Sequence, residues 1–206
     1  MTISFIGGGV MAESFIAGVL KEGLFSSDQI YVSDPIADRR KYLTDTYGVN
    51  CLKENIDILE KKGKILLAVK PQTLREVYKD LKGKISPERP VISIVAGSKS
   101  SDLSKGLEHR QIIRVMPNTP SQIGKGMLVW TSTDEVDSTA IGEIASILKT
   151  LGEEYYVHDE KYMDMATALS ASGPAYVFLF IQSLIDSGVY LGMPRDMAKH
   201  LVLQTV

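Results

Sequence analysis

The stretch Phe5-Ile6-Gly7-Gly8-Gly9-Val10-Met11-Ala12 decides how this chain folds. It follows a short apolar run, Ile3–Ile6, and opens a segment of helical periodicity, Val10–Leu20, so it sits at a strand-to-helix turn. The spacing is G-x-G-x-x-A. Gly7 permits the tight turn, Gly9 lets the main chain approach a pyrophosphate, and Ala12 lets helix and strand pack closely. Gly8, Val10 and Met11 complete the loop and the first helical turn, whose unpaired N–H groups would face the same phosphates. The letters alone also fit a glycine-rich turn without a ligand. Their position at the first βα junction favours a dinucleotide site.

Outward from that loop, Ile30–Ser33, Lys64–Val69, Val91–Val95 and Ile112–Met116 are further strand candidates, and Ala37–Tyr47 is the second helix. Continuous apolar runs separated by helical periods mark parallel strands buried on both faces. The fold class predicted is α/β, with a Rossmann-like, doubly wound and mostly parallel sheet. Met127–Thr131 adds a strand. A helix from about Asp134 to Leu151 follows, with Thr133 or Asp134 placed to cap it, and Glu154–Val157 closes the sheet edge. Beyond His158 only helical periodicity remains, punctuated by Ser172-Gly173-Pro174 and Gly192-Met193-Pro194, with both prolines suited to first helical turns. The expected division is 1–158 for the nucleotide-binding domain and 159–206 for the start of an all-α domain.

The segment Ala175–Tyr190 is apolar on nearly every face and must be covered on all sides. The residues after His158 are too few to do this, so the cover is expected from a partner chain, the first domain or further residues. Arg195–Val206 stays helical to the last position without a glycine cap, and the pattern expects the chain to continue.

Composition narrows the function classes. Of 206 residues, 44% are hydrophobic and 23% charged, as in an ordered globular protein. A formal net charge of −2 gives no reason to expect a nucleic acid or an acidic membrane as partner. The lone Cys51 excludes an internal disulfide framework and suits a reducing compartment. The chain begins on a strand and a glycine loop without a basic, cleavable leader, and Ala175–Ile185 is about half the ~20 residues of a membrane span. A cytoplasmic protein is expected.

Other candidate site residues lie at strand ends, where ligands of open α/β sheets bind. Asp34, after the second strand, suits the adenosine ribose hydroxyls of NAD, whereas Arg39 and Arg40 suit the 2′-phosphate of NADP, and the choice stays open. Ala68-Val69-Lys70-Pro71 and Val95-Ala96-Gly97 offer small residues around a ribose and a nicotinamide. Lys70 is either a charge contact or a lysine in water. In Met116-Pro117-Asn118-Thr119-Pro120, Asn118 either orients a carboxamide or belongs to a rigid turn. His109, His158 and His200 are widely spaced and read as surface or helix-end residues, so no metal is expected. Without a metal or an activated nucleophile, a bound cofactor should carry the reaction.

These motifs, taken in order, resemble the pyrroline-5-carboxylate reductases: FIGGGVMA, AVKPQ, the VAG strand end, RVMPNTP and above all Leu169-Ser170-Ala171-Ser172-Gly173-Pro174-Ala175-Tyr176, then Gly188-Val189 and Gly192-Met193-Pro194-Arg195. The resemblance implies an NAD(P)H-dependent reduction of the cyclic imine L-Δ1-pyrroline-5-carboxylate to L-proline, the last step of proline biosynthesis. It implies C-terminal helices that interlock in a homodimer, which can assemble into larger rings. It assigns Gly7–Ala12 to the diphosphate, Asp34 and Asn55 to the adenosine side, Ala68–Pro71 and Val95–Gly97 to the cofactor lining, and Glu160 to the amino-acid product. It places a substrate-gripping loop after Val206, so no catalytic residue is assigned within 1–206. Asp34 departs from the small or amide side chain common in the family. Two rival readings remain: a β-hydroxyacid dehydrogenase-like or other imine reductase, and a cofactor-binding regulatory protein without turnover.

Overall fold

In the computed structural model, which describes residues 2–206, Ile3–Ile6 forms β1 with all four residues buried. It lies between β2 (Ile30–Ser33) and β4 (Lys64–Leu67), parallel to both. With β3 (Asn50–Leu52), β5 (Val91–Ser93), β6 (Ile112–Met116), β7 (Gly126–Ser132) and β8 (Gly152–Tyr156), the sheet has eight strands in the order β3-β2-β1-β4-β5-β6-β7-β8. All neighbouring pairs are parallel except β6–β7. The connection between those two holds only a 3₁₀ turn, Thr119–Ile123, which is too short for the crossover a parallel return needs.

Alternating side chains feed two cores. Phe5, Val32, Leu66 and Trp130 pack with Phe15 and Val19 of α1 (Val10–Lys21), Leu43 of α2 (Ala37–Tyr47) and Ile144 of α5 (Ser138–Lys149). Ile6, Ile65, Leu67 and Ile112 pack with Val77 of α3 (Leu74–Leu81) and Leu103 of α4 (Ser100–Leu107). Burial on both faces is why these strands carry unbroken apolar runs rather than alternation.

Several boundaries differ from the sequence expectation. β4 stops at Leu67 and β5 at Ser93; Ala68 and Ile94 each still donate one N–H to the neighbouring strand, and Val69 and Val95 lie beyond the strands. At β5 the Ser93 hydroxyl accepts the Val95 N–H at 3.3 Å and starts a turn. The α5 cap is neither Thr133 nor Asp134 but Asp137, which accepts the Ala140 N–H at 2.8 Å. Thr133 is engaged elsewhere, donating to the Arg110 carbonyl and accepting the Ile112 N–H.

The C-terminal segment runs through α6 (Lys161–Ala166), a π turn (Thr167–Ala171), α7 (Gly173–Tyr190) and α8 (Arg195–Thr205). Pro174 lies in the first turn of α7 as expected, whereas Pro194 precedes α8 as its cap. Pro174 has no N–H to return to the Ser170 carbonyl, and the widened turn is located there. Residues 161–190 form one helical stretch long and apolar enough, by length and composition, to cross a membrane, which the count over Ala175–Ile185 did not register. Within the chain this stretch is left uncovered. Phe178 is 63% exposed and Leu179 68%, and Ile185 is the buried residue of α7.

Candidate active site

Gly7 closes β1 with φ +91°, its N–H donating to the Ser33 carbonyl at 2.8 Å. A Cβ there would stand 2.8 Å from the Ala68 carbonyl oxygen, so the ends of β1 and β4 touch where the strand order reverses. Gly9 caps α1 in extended conformation, and a Cβ on it would meet nothing within 4 Å. Ala12 is fully buried in the core. The loop therefore leaves exposed main chain and the first-turn amides of a twelve-residue helix facing open space, which is what a diphosphate requires. Gly8 carries a constraint that the motif does not advertise. Its Cβ would lie 2.8 Å from Leu43 Cδ1, and its N–H donates to Asp34 Oδ2 at 2.9 Å.

Asp34 is thus built into the loop. Its other oxygen accepts the Ile36 N–H at 2.9 Å, and the residue is buried. Arg39 is built in too: its Nε donates to the Gly8 carbonyl and its Nη2 meets Glu13 at 2.5 Å. Glu13 also accepts the hydroxyls of Tyr42 and Tyr47, each at 2.9 Å. Burial pushes the Glu13 carboxyl up, but the hydrogen bonds from Arg39 and the two tyrosines outweigh it and hold the group below its usual value. Burial, together with the bond to Glu13, pushes the Tyr47 hydroxyl up to about 12. Arg40 donates to the Asp34 carbonyl at 2.7 Å. Asn55 accepts the Ser33 hydroxyl and donates to Asp80, each at 2.8 Å, so it braces the end of β2.

The remaining strand ends line up along the same edge. Ala68 donates its N–H to the Ile6 carbonyl at 2.8 Å, and Ile94 donates to Leu67 at 3.1 Å. Val69 is half-buried, Lys70 and Pro71 exposed, Val95 buried, and Ala96 and Gly97 exposed. Asn118, after β6, accepts the Met127 N–H at 2.9 Å and directs its amide to the Ser170 carbonyl at 3.4 Å, the carbonyl that Pro174 cannot serve. The SASGPAY segment is thereby brought beside the strand tips.

Comparison with known proteins agrees with this geometry. The family model described as pyrroline-5-carboxylate reductase dimerisation matches residues 160–206, and the one described as NADP oxidoreductase, coenzyme F420-dependent, matches residues 2–97. The pyrroline-5-carboxylate reductase of Synechocystis is 40% identical over 99% of this chain and 76% of its own length. The chain belongs to the pyrroline-5-carboxylate reductase family. Among solved structures, a pyrroline-5-carboxylate reductase from Coxiella burnetii superposes with a TM-score of 0.89 at 31% identity, covering 99% of this chain and 76% of that one. The Plasmodium falciparum pyrroline carboxylate reductase with NADP bound gives 0.86 at 32% identity, covering 100% and 75%.

Within that family frame, Glu160 has contacts of its own. Its Oε1 accepts the main-chain N–H of Ser100 at 2.8 Å, the Ser100 hydroxyl at 3.0 Å and Arg114 Nη1 at 3.0 Å. Arg114, buried in β6, also grips Asp164 at 2.9 Å. These pairs fasten α6 to the reductase sheet. Arg39 is named in the sequence only for a 2′-phosphate; neither its cluster with Glu13 and Tyr47 nor the pairs of Arg114 are legible there, because the partners lie 26 to 50 residues away. An arginine inside an apolar strand was the one available signal. His109 stands at a helix end, directly after the Glu108 C-cap of α4, but it is buried rather than at the surface, and burial pushes its pKa down. Among the described residues, no three His, Cys, Asp or Glu side chains converge as metal ligands.

Proposed function

We propose that this chain reduces L-Δ1-pyrroline-5-carboxylate to L-proline with hydride from NAD(P)H, the closing step of proline biosynthesis. The observation that carries the proposal is the open glycine loop of β1–α1 in a chain whose C-terminal part matches the reductase dimerisation family. A bound nicotinamide supplies the hydride for the imine carbon. The first-turn amides of α1 hold the diphosphate, and the tips at Ala68–Pro71, Val95–Gly97 and Asn118 line the path of the dinucleotide. The ring nitrogen of the iminium substrate already carries its proton, so the protein's task is positioning and water exclusion rather than general-acid catalysis.

We assign the adenosine side to Asp34. Each of its oxygens keeps a lone pair beyond the Gly8 and Ile36 N–H bonds, enough to accept ribose hydroxyls. A 2′-phosphate would meet this carboxylate, while Arg39 is committed to Glu13 and Gly8 and Arg40 donates to the Asp34 carbonyl. NADH is the preferred donor on this account. Asp34→Ser should shift the ratio of kcat/KM values toward NADPH by about tenfold, on the order of 1.4 kcal/mol; an unchanged ratio removes Asp34 from the specificity role. The exposed face of α7 is assigned to a second copy of the chain in a cytoplasmic homodimer, and the division near His158 separates the cofactor domain from that helical part.

The test uses the intact protein with pyrroline-5-carboxylate and each reduced nicotinamide, following nicotinamide absorbance and proline by amino-acid analysis. Stoichiometric loss of reduced cofactor and gain of proline is expected. Oxidation of neither cofactor would reject the proposal.

A further inference from the structure

At the amino edge of the sheet, opposite the glycine loop, lies a second cleft of about 860 Å³, within the size range of small-ligand sites. It is formed by the loop before β4, the α3–β5 connection and the opening turns of α5. Its lining carries five cations, Lys61, Lys62, Lys64, Lys84 and Arg89, against three carboxylates. Two of these cations already face a carboxylate, Lys64 with Glu143 and Lys61 with Glu60 at 3.9 Å. Asp137 caps α5 through the Ala140 N–H and Glu88 accepts the Ser86 hydroxyl at 2.6 Å, which leaves Lys62, Lys84 and Arg89 as the cleft cations without an ion pair among the described residues.

Arg89 is the unusual member. It is only 7% exposed, yet its hydrogen bonds go to the carbonyls of Gly63 and Ile58 and to the Ser4 hydroxyl, all of them neutral. Buried charges are ordinarily met by an opposite charge. Burial without an anionic partner pushes the Arg89 guanidinium down to about 10. A guanidinium presents five donors in a fixed fork suited to phosphoryl oxygens, so these three partners leave part of its capacity unspent. Lys62 and Lys84 stand exposed at the cleft mouth, and the Lys84 ammonium donates to the Asp80 main-chain carbonyl at 2.8 Å. The α5 N-terminus adds its positive end to the wall.

We propose that this cleft binds a phosphoryl-bearing anion, with Arg89 at its floor and Lys62 and Lys84 at its mouth, separate from the dinucleotide site. The ligand is either a free inorganic phosphate or diphosphate or the phosphate chain of a nucleotide. The assignment does not depend on the reductase activity, since it uses none of the residues at the carboxyl edge.

Calorimetric titration of the intact protein, at fixed ionic strength and with NADH present in excess, tests it with two probes, inorganic pyrophosphate and ADP. One saturable site is expected, weakened at least tenfold by the paired substitution Lys62→Glu and Lys84→Glu, while NADH affinity stays unchanged. Tighter binding of ADP than of pyrophosphate identifies a nucleotide ligand; equal or weaker binding of ADP identifies the bare phosphoryl group. Absence of saturable heat, equal affinity in the doubly substituted protein, or displacement of NADH by pyrophosphate would each overturn the proposal. The two substituted lysines are exposed, so the variant should retain the wild-type circular dichroism spectrum, which separates lost binding from lost folding.

Discussion

At Gly7 backbone and packing make the same demand. A φ of +91° is costly for any residue with a Cβ, and the Ala68 carbonyl occupies the place where that Cβ would go. Gly7→Ala should therefore lose about 1–3 kcal/mol of stability, read as a lower midpoint in urea, and should weaken NADH binding as the β1–β4 contact opens. His109 acts through pH. Burial holds its pKa below the ordinary 6.5, although the bond between its ring and the Arg89 main chain works the other way. The folded state thus resists a proton that the unfolded chain accepts. The stability this contributes is complete above pH 6.5 and is lost as pH falls through the depressed folded value. Thermal unfolding followed from pH 7.5 down to 5 should show Tm falling more steeply in the native chain than in His109→Gln, and parallel curves would remove His109 from the acid response. Glu13, also held below its ordinary value, acts further down the scale. Its contribution is present above its unfolded pKa and fades only as pH drops through the folded one.

Among the elements, α7 has the largest unmet requirement. Tyr176, Phe178, Leu179 and Phe180 project from a helix with few contacts of its own chain, beyond the hairpin it makes with α8 and the bond from the Tyr176 hydroxyl to the Ala168 carbonyl. An exposed apolar face of this kind is an association surface. The match of residues 160–206 to the reductase dimerisation family is consistent with a subunit partner rather than lipid. Phe178→Glu together with Leu179→Glu should convert a sedimenting dimer to monomer while leaving NADH binding at the glycine loop within about twofold, on the order of 0.4 kcal/mol. A dimer that persists would place the interface on another surface. Elements also differ in how plainly they are written in the sequence. The bounds of β1, β2, β6 and α2 follow directly from apolar period and flanking punctuation. By contrast, β3 is three residues, Asn50-Cys51-Leu52, at a sheet edge, where neither length nor β-branching marks a strand. The α5 cap is Asp137 rather than Thr133 or Asp134; all three are competent caps in isolation, and the bonds of Thr133 to Arg110 and Ile112 remove the first from contention.

For the whole molecule, the mostly parallel α/β class and the glycine loop at the first βα turn were legible, because both follow from apolar runs and local main-chain geometry. The strand order and the edge strand β3 emerge only in the structure. Less legible was the wiring that stiffens the cofactor edge. Arg39 reaches Glu13 only after α2 has packed beside α1, and Asn118 finds the Ser170 carbonyl only because Pro174 has released it. Those contacts depend on three-dimensional packing, which periodicity does not encode. The account as a whole requires that the open main chain at Gly9 be the seat of the diphosphate. A Cβ at that position meets no protein atom within 4 Å, and Gly9 has φ −66°, which any residue adopts, so a valine there should leave folding intact while its side chain takes up the space the phosphates need. The most direct measurement is fluorescence titration of NADH into the native chain and into Gly9→Val, with unfolding midpoints recorded in parallel. Saturable binding by the native chain, weakened at least a hundredfold in a variant of unchanged midpoint, is the predicted result. Equal binding by the two proteins would contradict the account.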